Sequence, residues 1–249
     1  MNITMDLETI PDQTPGALEK IMEAITVKSP DLTKPKLIDA LGLCQKNDKF
    51  KTVAELKEFW LELHGEQARE EQATEQWLKT SFDGAKGQIC CIGAAYEDNE
   101  PVSFVGAEID ILKQFNEWVH SISAVRAVES AIPPNFIGHN LIKFDLPFLH
   151  KRMVINGVKP KFKLIPHARH GLTAFDTMIE WCGFGNGISM DNLADALGLK
   201  GKTEGMDGSQ VWPEYQKGNI DKIASYCIDD IICTRNIYNK LTFKGENHE

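Results

Sequence analysis

The sequence predicts an α/β fold, in which strands and helices alternate along one chain. Strand-like segments occur at 2–10, 88–96 and 135–140, either with alternating apolar and polar residues or with continuous apolar runs. Segments with helical apolar spacing lie between and after them, and the longest covers about 219–241. Such interleaving is typical of domains in which helices cover a central sheet.

The composition is that of a folded protein with one large core. The 249 residues are 42% apolar and 25% charged, and no apolar run approaches the roughly 18 residues that a membrane span needs. The net charge of −9 argues against bulk attraction to nucleic acid but leaves room for a local basic patch. Six cysteines without a C-x-x-C pair, and a start without secretory features, predict a cytoplasmic protein with reduced thiols and no membrane partner.

The first half of the chain contains a strand, a helical stretch and a hairpin. The strand at 2–10 comes first, and the strand at 88–96 is followed by turn residues and a further strand at 102–106. Between them we predict a helical insertion over 12–86 because apolar residues recur at helical spacing. These residues are Leu18, Ile21, Met22 and Ile25, then Leu56, Phe59, Trp60 and Leu63. The charged stretch 66–79 is predicted to be a solvated helix anchored by Trp77 and Leu78.

The second half continues the alternation. We predict helices at 108–121, 145–156, 189–197 and 219–241, with a strand at 135–140. Ser189 is the expected N-cap of the third of these helices, and Gly198 is expected to close it. The predicted organisation is a single domain over 1–243, followed by a C-terminal tail at 244–249.

Two acidic patterns occur on these elements before the last helix. Asp6 and Glu8 are two residues apart on the first strand, so their carboxylates share one face while Leu7 points to the other. Asp145 follows Asn140 where a strand gives way to a helix. Taken alone, the pair could be a solvent-facing strand edge and Asp145 could be a helix cap.

The last helix carries a third pattern, in which Tyr226 and Asp230 lie one turn apart on the same side. The combination predicts four carboxylates at one edge of the sheet, where they would repel one another unless cations were bound. Two divalent ions would neutralise them and could act on a phosphodiester. Oxygen ligands favour Mg²⁺ or Mn²⁺ over zinc.

With these motifs the sequence resembles the DEDD exonucleases, the DnaQ-like group with an RNase H-like fold, which carry D-x-E, N-x3-F-D-like and Y-x3-D motifs in this order. Tyr226 places the resemblance in the DEDDy branch. The sequence also resembles free-standing predicted exonucleases related to the proofreading domain of family-B DNA polymerases. The segments that carry this resemblance are Gln76-Trp77 ahead of residues 87–93, and residues 138–140 leading into Phe144-Asp145. The resemblance implies an RNase H-like mixed central sheet flanked by helices, with the helical insertion after strand 1.

The resemblance also implies a role for each matching residue. Asp6 would bridge both metals, Glu8 and Asp230 would complete one metal site, and Asp145 would hold the second ion. Tyr226 would hydrogen-bond the attacking water.

Further roles concern the substrate and its surroundings. Thr9 would contact the terminal nucleotide, and Asn140 would position the substrate. Asp229 is expected to point about 100° round the helix from its neighbour Asp230, and Asp176 is expected to cap a helix.

The implied activity is hydrolysis at the 3′ end of nucleic acid, preferably single-stranded DNA, with release of nucleoside 5′-monophosphates. An RNA-trimming exoribonuclease of RNase D or RNase T character is one alternative, and a catalytically silent nucleic-acid-binding scaffold is another. Since no polymerase region follows Leu241, we expect any proofreading or DNA repair to involve a partner in trans.

A basic segment follows the middle motif. Between Lys143 and His170 there are seven basic residues against one acidic residue. They are Lys143, Lys151, Arg152, Lys159, Lys161, Lys163 and Arg169. A solvated surface is the plain alternative, but the position directly after Asp145 favours a groove that binds phosphates. The predicted substrate contacts in this segment are Lys143, Lys159, Lys161 and Lys163.

Overall fold

The computed structural model describes residues 1–43, 49–127, 134–200 and 206–244. The chain divides into two compact units, one formed by Met1–Pro11 with Thr80–Glu249 and the other by Asp12–Lys79. The second unit lies within the range predicted for the helical insertion. Among the described residues, no helix is both long and apolar enough to cross a membrane.

The described residues of the second unit form three helices, α1 (Ala17–Ala24), α2 (Lys34–Ala40) and α3 (Val53–Lys79). Both shorter helices pack against α3. The charged stretch 66–79 forms the C-terminal half of α3. Trp77 anchors this end by donating its indole N–H to the carbonyl oxygen of Asp12, 2.8 Å away. The side chain of Leu78, the second predicted anchor, is 38% exposed, and its anchoring role stays a prediction.

The first unit is built on a mixed sheet of five strands in the order β3-β2-β1-β4-β5. The strands are β1 (Asn2–Ile10), β2 (Gln88–Tyr96), β3 (Val102–Val105), β4 (Asn135–Gly138) and β5 (Ala174–Asp176). β1 pairs antiparallel with β2 and parallel with β4, and β2 forms the predicted hairpin with β3. β4 pairs parallel with β5. The predicted mixed central sheet is confirmed.

Six further helices flank this sheet within the ranges that the structure describes. They are α4 (Glu108–Ala127), α5 (Asp145–Ile155), α6 (Thr177–Cys182), α7 (Met190–Ala196), α8 (Val211–Gln216) and α9 (Ile220–Leu241). As predicted, Ser189 caps α7, because its hydroxyl accepts a hydrogen bond from the N–H of Asn192 at 3.2 Å. α4 runs beyond the predicted end at residue 121. The predicted tail lies outside the described residues apart from Lys244.

The two faces of β1 belong to different layers of the core. Met5 and Leu7 on one face join a large buried cluster with residues of α4 and α5. On the opposite face, Ile10 packs in a smaller cluster with Cys227 of α9. Alternation along the strand therefore directs Asp6 toward the α9 side of the sheet.

The strand predicted at 135–140 ends earlier, at Gly138, which corrects its boundary. Asn140 has a positive φ of 62°, a left-handed conformation that asparagine tolerates better than most residues. This residue turns the chain out of β4 and toward α5. The short elements β5 and α8 were not predicted, because each is too short to display a recognisable period, and α6 was anticipated only through its cap at Asp176.

Candidate active site

Asp6 and Glu8 project from β1 on the side covered by α9. One carboxylate oxygen from each residue and the sulfur of Cys227 all lie within 4.8 Å of one another. Glu8 is buried, and Asp6 is partly exposed. The register with β2 shifts between Glu8 and Thr9, an irregularity typical of strand ends near functional sites. The strand thus presents two carboxylates at the same point.

Asp145 is the first residue of α5 and only 3% of its surface is exposed. Its Oδ1 accepts a hydrogen bond from the backbone N–H of Leu7 at 3.1 Å, which fixes it beside the strand that carries Asp6 and Glu8. Burial raises the pKa of the Asp145 carboxyl well above its usual value, and the negative charge of Asp6 raises it further. A bound cation would relieve both effects.

α9 approaches the sheet closely at Gly93, the register partner of Asp6. A Cβ atom at this position would lie 2.7 Å from the sulfur of Cys227 and 3.0 Å from Cγ1 of Ile231, so a larger residue would push the helix away. Asp230, which is 4% exposed, lies three residues after Cys227 and therefore on the same side of the helix. The close contact at Gly93 places this side of α9 against β2, and α9 also packs on the neighbouring β1.

Tyr226 and Asp229 occupy different surroundings on α9. Tyr226 is half-buried and packs against the cluster that includes Ile10 and Val211. Asp229 lines a shallow cavity with Ser103, on a different side of the helix from Asp230. This agrees with the rotation of about 100° per residue that separates two adjacent helical positions.

Cys227 is the member of the cluster that sequence reasoning missed as a neighbour of the acids. A hydrogen bond with Cys91, burial and the charges of Asp6 and Glu8 raise the pKa of its thiol well above the usual value. The thiol therefore stays protonated, and its sulfur lies 3.8 Å from Oδ2 of Asp6 as a donor. The sequence did contain a signal for this proximity, because Cys227 lies three residues before Asp230 and therefore on the same side of α9.

The donor set consequently consists of carboxylate oxygens, which fits Mg²⁺ or Mn²⁺ better than a thiophilic ion. The other nearby cysteine, Cys90, is also held in its thiol form, since burial and the charge of Glu8 raise its pKa. The cysteines of the described residues are free thiols, as predicted from the sequence.

Asp176 caps α6 and also organises the segment that leads into α5. Its fully buried carboxylate accepts hydrogen bonds from the N–H groups of Met178 and Ile179 at 3.0 and 3.3 Å. It also accepts from the N–H groups of Asn140 and Ile142, each at 3.0 Å. The cap was predicted, whereas the second role depends on the pairing of β5 with β4 and has no local sequence signal.

The predicted substrate-binding residues near the acids are Thr9, Asn140 and Lys143. The hydroxyl of Thr9 donates a hydrogen bond to the carbonyl oxygen of Ser81 at 2.8 Å. Asn140 and Lys143 line a cavity of about 470 Å³ beside the start of α5. Their contact with nucleic acid stays a prediction.

Arg152 does not belong to a phosphate-binding groove, which corrects the reading of the basic segment. Its guanidinium is buried and makes two hydrogen bonds to the carboxylate of Glu108, at 2.8 Å from Nε and 2.7 Å from Nη2. The same carboxylate accepts from the N–H of Ile89. The arginine therefore joins α4, α5 and β2 from inside the core.

Lys151 lies within α5 and pairs with Asp83 at 3.5 Å, whereas three of the predicted substrate-binding lysines lie beyond the far end of this helix. This helix begins at Asp145 and ends at Ile155, a rise of about 15 Å. Lys159 and Lys163 are exposed after it, and Lys161 is paired with Glu117 of α4. The structure does not bring these three lysines together with the acids, and their role in binding stays a prediction.

Comparison with known proteins supplies a family and a fold. The sequence profile of a family described as predicted 3′–5′ exonucleases related to the exonuclease domain of PolB matches residues 107–247, a range that includes Asp145, Tyr226 and Asp230. The fold is similar to that of the family B DNA polymerase from the hyperthermophilic archaeon Pyrobaculum calidifontis, with a TM-score of 0.50 and 16% identity. The alignment covers 64% of this chain and 22% of the polymerase chain, so the chain spans about a fifth of its length. The comparison with curated proteins found no match.

Proposed function

The chain belongs to the family of predicted 3′–5′ exonucleases related to the exonuclease domain of PolB, and on that premise we propose that it removes nucleotides from the 3′ end of single-stranded DNA by metal-dependent hydrolysis. The products would be nucleoside 5′-monophosphates. The observation that carries the proposal is the convergence of Asp6, Glu8 and the buried Asp145 at β1, the central strand of the sheet, with α9 packed against the same strand.

Four carboxylates would hold two divalent ions of the Mg²⁺ or Mn²⁺ type: those of Asp6, Glu8, Asp145 and Asp230. When bound, such ions supply Lewis-acid activation of a water molecule and stabilise the charge on the departing 3′ oxygen. The raised pKa of Asp145 supports this assignment, because a buried carboxyl beside another acid is stable in its ionised form only with a cation nearby.

The protein groups would bind and orient the substrate. Thr9 would contact the terminal nucleotide, and Asn140 would position the substrate near Asp145. Tyr226 would donate a hydrogen bond that orients the attacking water, since a phenol is mostly protonated near neutral pH and is a poor base there. The similarity of the fold to a DNA polymerase supports DNA as the substrate.

The direct test is incubation of the purified protein with single-stranded DNA or RNA oligonucleotides of one sequence, labelled at the 5′ end. We expect a ladder of products shortened from the 3′ end of the DNA with Mg²⁺ or Mn²⁺ and none with a chelator. Asp6→Asn should fold normally and lose turnover. Degradation of RNA alone would indicate a trimming exoribonuclease, and no degradation with either metal would indicate a scaffold.

A further inference from the structure

A cavity of about 470 Å³ opens beside the segment that leads into α5. This volume lies within the range of about 300–1,000 Å³ that is usual for small-molecule sites. The cavity lies between that segment and the glycine-rich turn at 183–187. The side chains that define its chemistry are Asn140, Lys143, Met178, Ile179, Phe184 and Asn186.

The lining suits a flat aromatic group. Met178 and Ile179 from α6 contribute apolar surface, and the ring of Phe184 is 75% exposed. A single exposed apolar side chain needs no explanation by itself. Here, however, the ring of Phe184 borders a concave site. Any of the nucleobases can stack on an exposed aromatic ring, because each base has a flat π-face.

The charge of the cavity suits a phosphate. Lys143 is the charged residue of its lining, in a chain with a net charge of −9. It is exposed and makes no ion pair within the described part of the chain. A lysine in this position can pair with a phosphate oxygen of a bound strand.

The wall of the cavity is tied to the candidate active site. The carboxylate of Asp176 accepts hydrogen bonds from the N–H groups of Asn140 and Ile142, which lie in the turn just before Lys143. Lys143 lies two residues before Asp145, whose carboxylate is fixed to β1. A group bound in this cavity would therefore be held at a constant distance from the acids, as a positioned substrate requires.

We infer that this cavity binds one unpaired nucleotide of the substrate strand, with its base stacked on Phe184 and a phosphate at Lys143. The inference rests on the proposed exonuclease function and gives a reason for single-strand preference, because a base inserted in the cavity cannot be paired. It makes Phe184 a binding residue outside the acid cluster.

The first test measures the affinity of a fluorescein-labelled single-stranded DNA oligonucleotide by anisotropy in the presence of a chelator, so that nothing is cleaved. Phe184→Ala should weaken binding about tenfold, since base stacking on one ring contributes on that order, and Phe184→Trp should restore it. The matched control is Phe243→Ala, an exposed phenylalanine just beyond the end of α9, which lies about 22 Å along the helix axis from Tyr226. Equal affinity in Phe184→Ala and the parent would overturn the inference.

The second test separates the phosphate contact from stacking. Lys143→Ala should reduce the slope of log affinity against log salt by about one, because one phosphate contact is lost. Lys113→Ala, an exposed lysine on α4, should leave the slope unchanged. An unchanged slope in Lys143→Ala would show that Lys143 does not contact a phosphate of the bound strand.

Cleavage kinetics distinguish a failure of this inference from a failure of the proposed function. Phe184→Ala should raise KM for single-stranded DNA with little change in kcat. If the parent degrades DNA and Phe184→Ala has the same KM, the exonuclease assignment stands and the cavity assignment is wrong. If the parent neither binds nor degrades DNA, both are wrong.

Discussion

The backbone N–H of Leu7 donates a hydrogen bond to Oδ1 of Asp145, at 3.1 Å and across 138 residues of sequence. Because Leu7 lies between Asp6 and Glu8, this one bond determines where the acid of α5 stands relative to the acid pair of β1. The side chain of Leu7 points into the opposite layer of the core. The backbone of a buried strand thus positions a carboxylate that comes from a distant part of the chain.

Asp145→Asn should stabilise the metal-free protein, since the amide keeps the acceptor for Leu7 and removes a buried negative charge. A carboxyl whose pKa is raised in the folded state lowers stability at every pH above its unfolded pKa. We expect a Tm a few degrees higher, because 1 kcal/mol corresponds to about 2–4 °C in a chain of this size. Mg²⁺ should raise the Tm of the parent and do so much less in the variant. A lower metal-free Tm in the variant would contradict this reasoning.

Asp176→Asn should lower both stability and kcat. In the parent, each carboxylate oxygen accepts a hydrogen bond from a backbone N–H. An amide has only one carbonyl oxygen, so in the variant its NH₂ group would face one of these N–H donors, which would lose its acceptor. An unsatisfied buried donor costs about 1–3 kcal/mol, and the segment before Asp145 would lose its fixed position. The control is Asp191→Asn, at an exposed position on α7. Unchanged kcat in the folded Asp176 variant would show that the residue is only a helix cap.

Gly93→Ala should push α9 away from β2, and so change its position over the neighbouring β1. The added methyl group would lie 2.7 Å from the sulfur of Cys227, and overpacking of this kind costs about 1–3 kcal/mol. We expect a loss of stability in urea unfolding and a larger loss of kcat, because Asp230 moves with the helix. Gly65→Ala is the control, since its Cβ would meet only ordinary contacts and alanine favours a helix interior. Full activity in Gly93→Ala would show that the close approach is not needed.

Glu214→Gln should change how stability depends on pH. Hydrogen bonds from Asn219, Lys217 and Lys222 lower the pKa of the Glu214 carboxyl from 4.5 to about 2. Because the folded pKa is depressed, the stabilisation is complete above pH 4.5 and is lost as the pH falls toward about 2. The difference in unfolding free energy between parent and variant should therefore shrink over this interval.

The matched control for that experiment is Glu100→Gln, an exposed glutamate before β3. This variant removes one carboxylate without touching the junction of α8 and α9. A constant difference between the parent and Glu214→Gln would mean that the Glu214 carboxylate contributes nothing as a charge to that junction.

The sequence was sufficient for features that depend on local pattern. β1, β2 and α9 have the predicted positions because their apolar periods extend over nine or more residues. The placement of Asp6 on the α9 side follows from alternation on a strand. The helix cap at Ser189 likewise needs only neighbouring residues.

Features that depend on distant pairing could not be predicted. β5 has three residues and no detectable period, and the second role of Asp176 exists only because Gly138 pairs with it across β4 and β5. The sequence predicts Arg152 as part of a basic surface, whereas in the fold its buried guanidinium pairs with Glu108, which is 44 residues away along the chain. The proximity of Cys227 to Asp6 follows from the close packing of α9 over Gly93.

The most direct test of the account is calorimetric titration of Mn²⁺ into the parent, Asp230→Asn and Asp229→Asn. If the acids of β1, α5 and α9 form one two-ion site, the parent binds two Mn²⁺ per chain. Asp230→Asn should then bind fewer ions or bind them more weakly, and Asp229→Asn should match the parent, because that side chain lies on another side of α9. Failure of the parent to bind Mn²⁺, or identical titrations for both variants, would contradict the convergence of these carboxylates into a metal site.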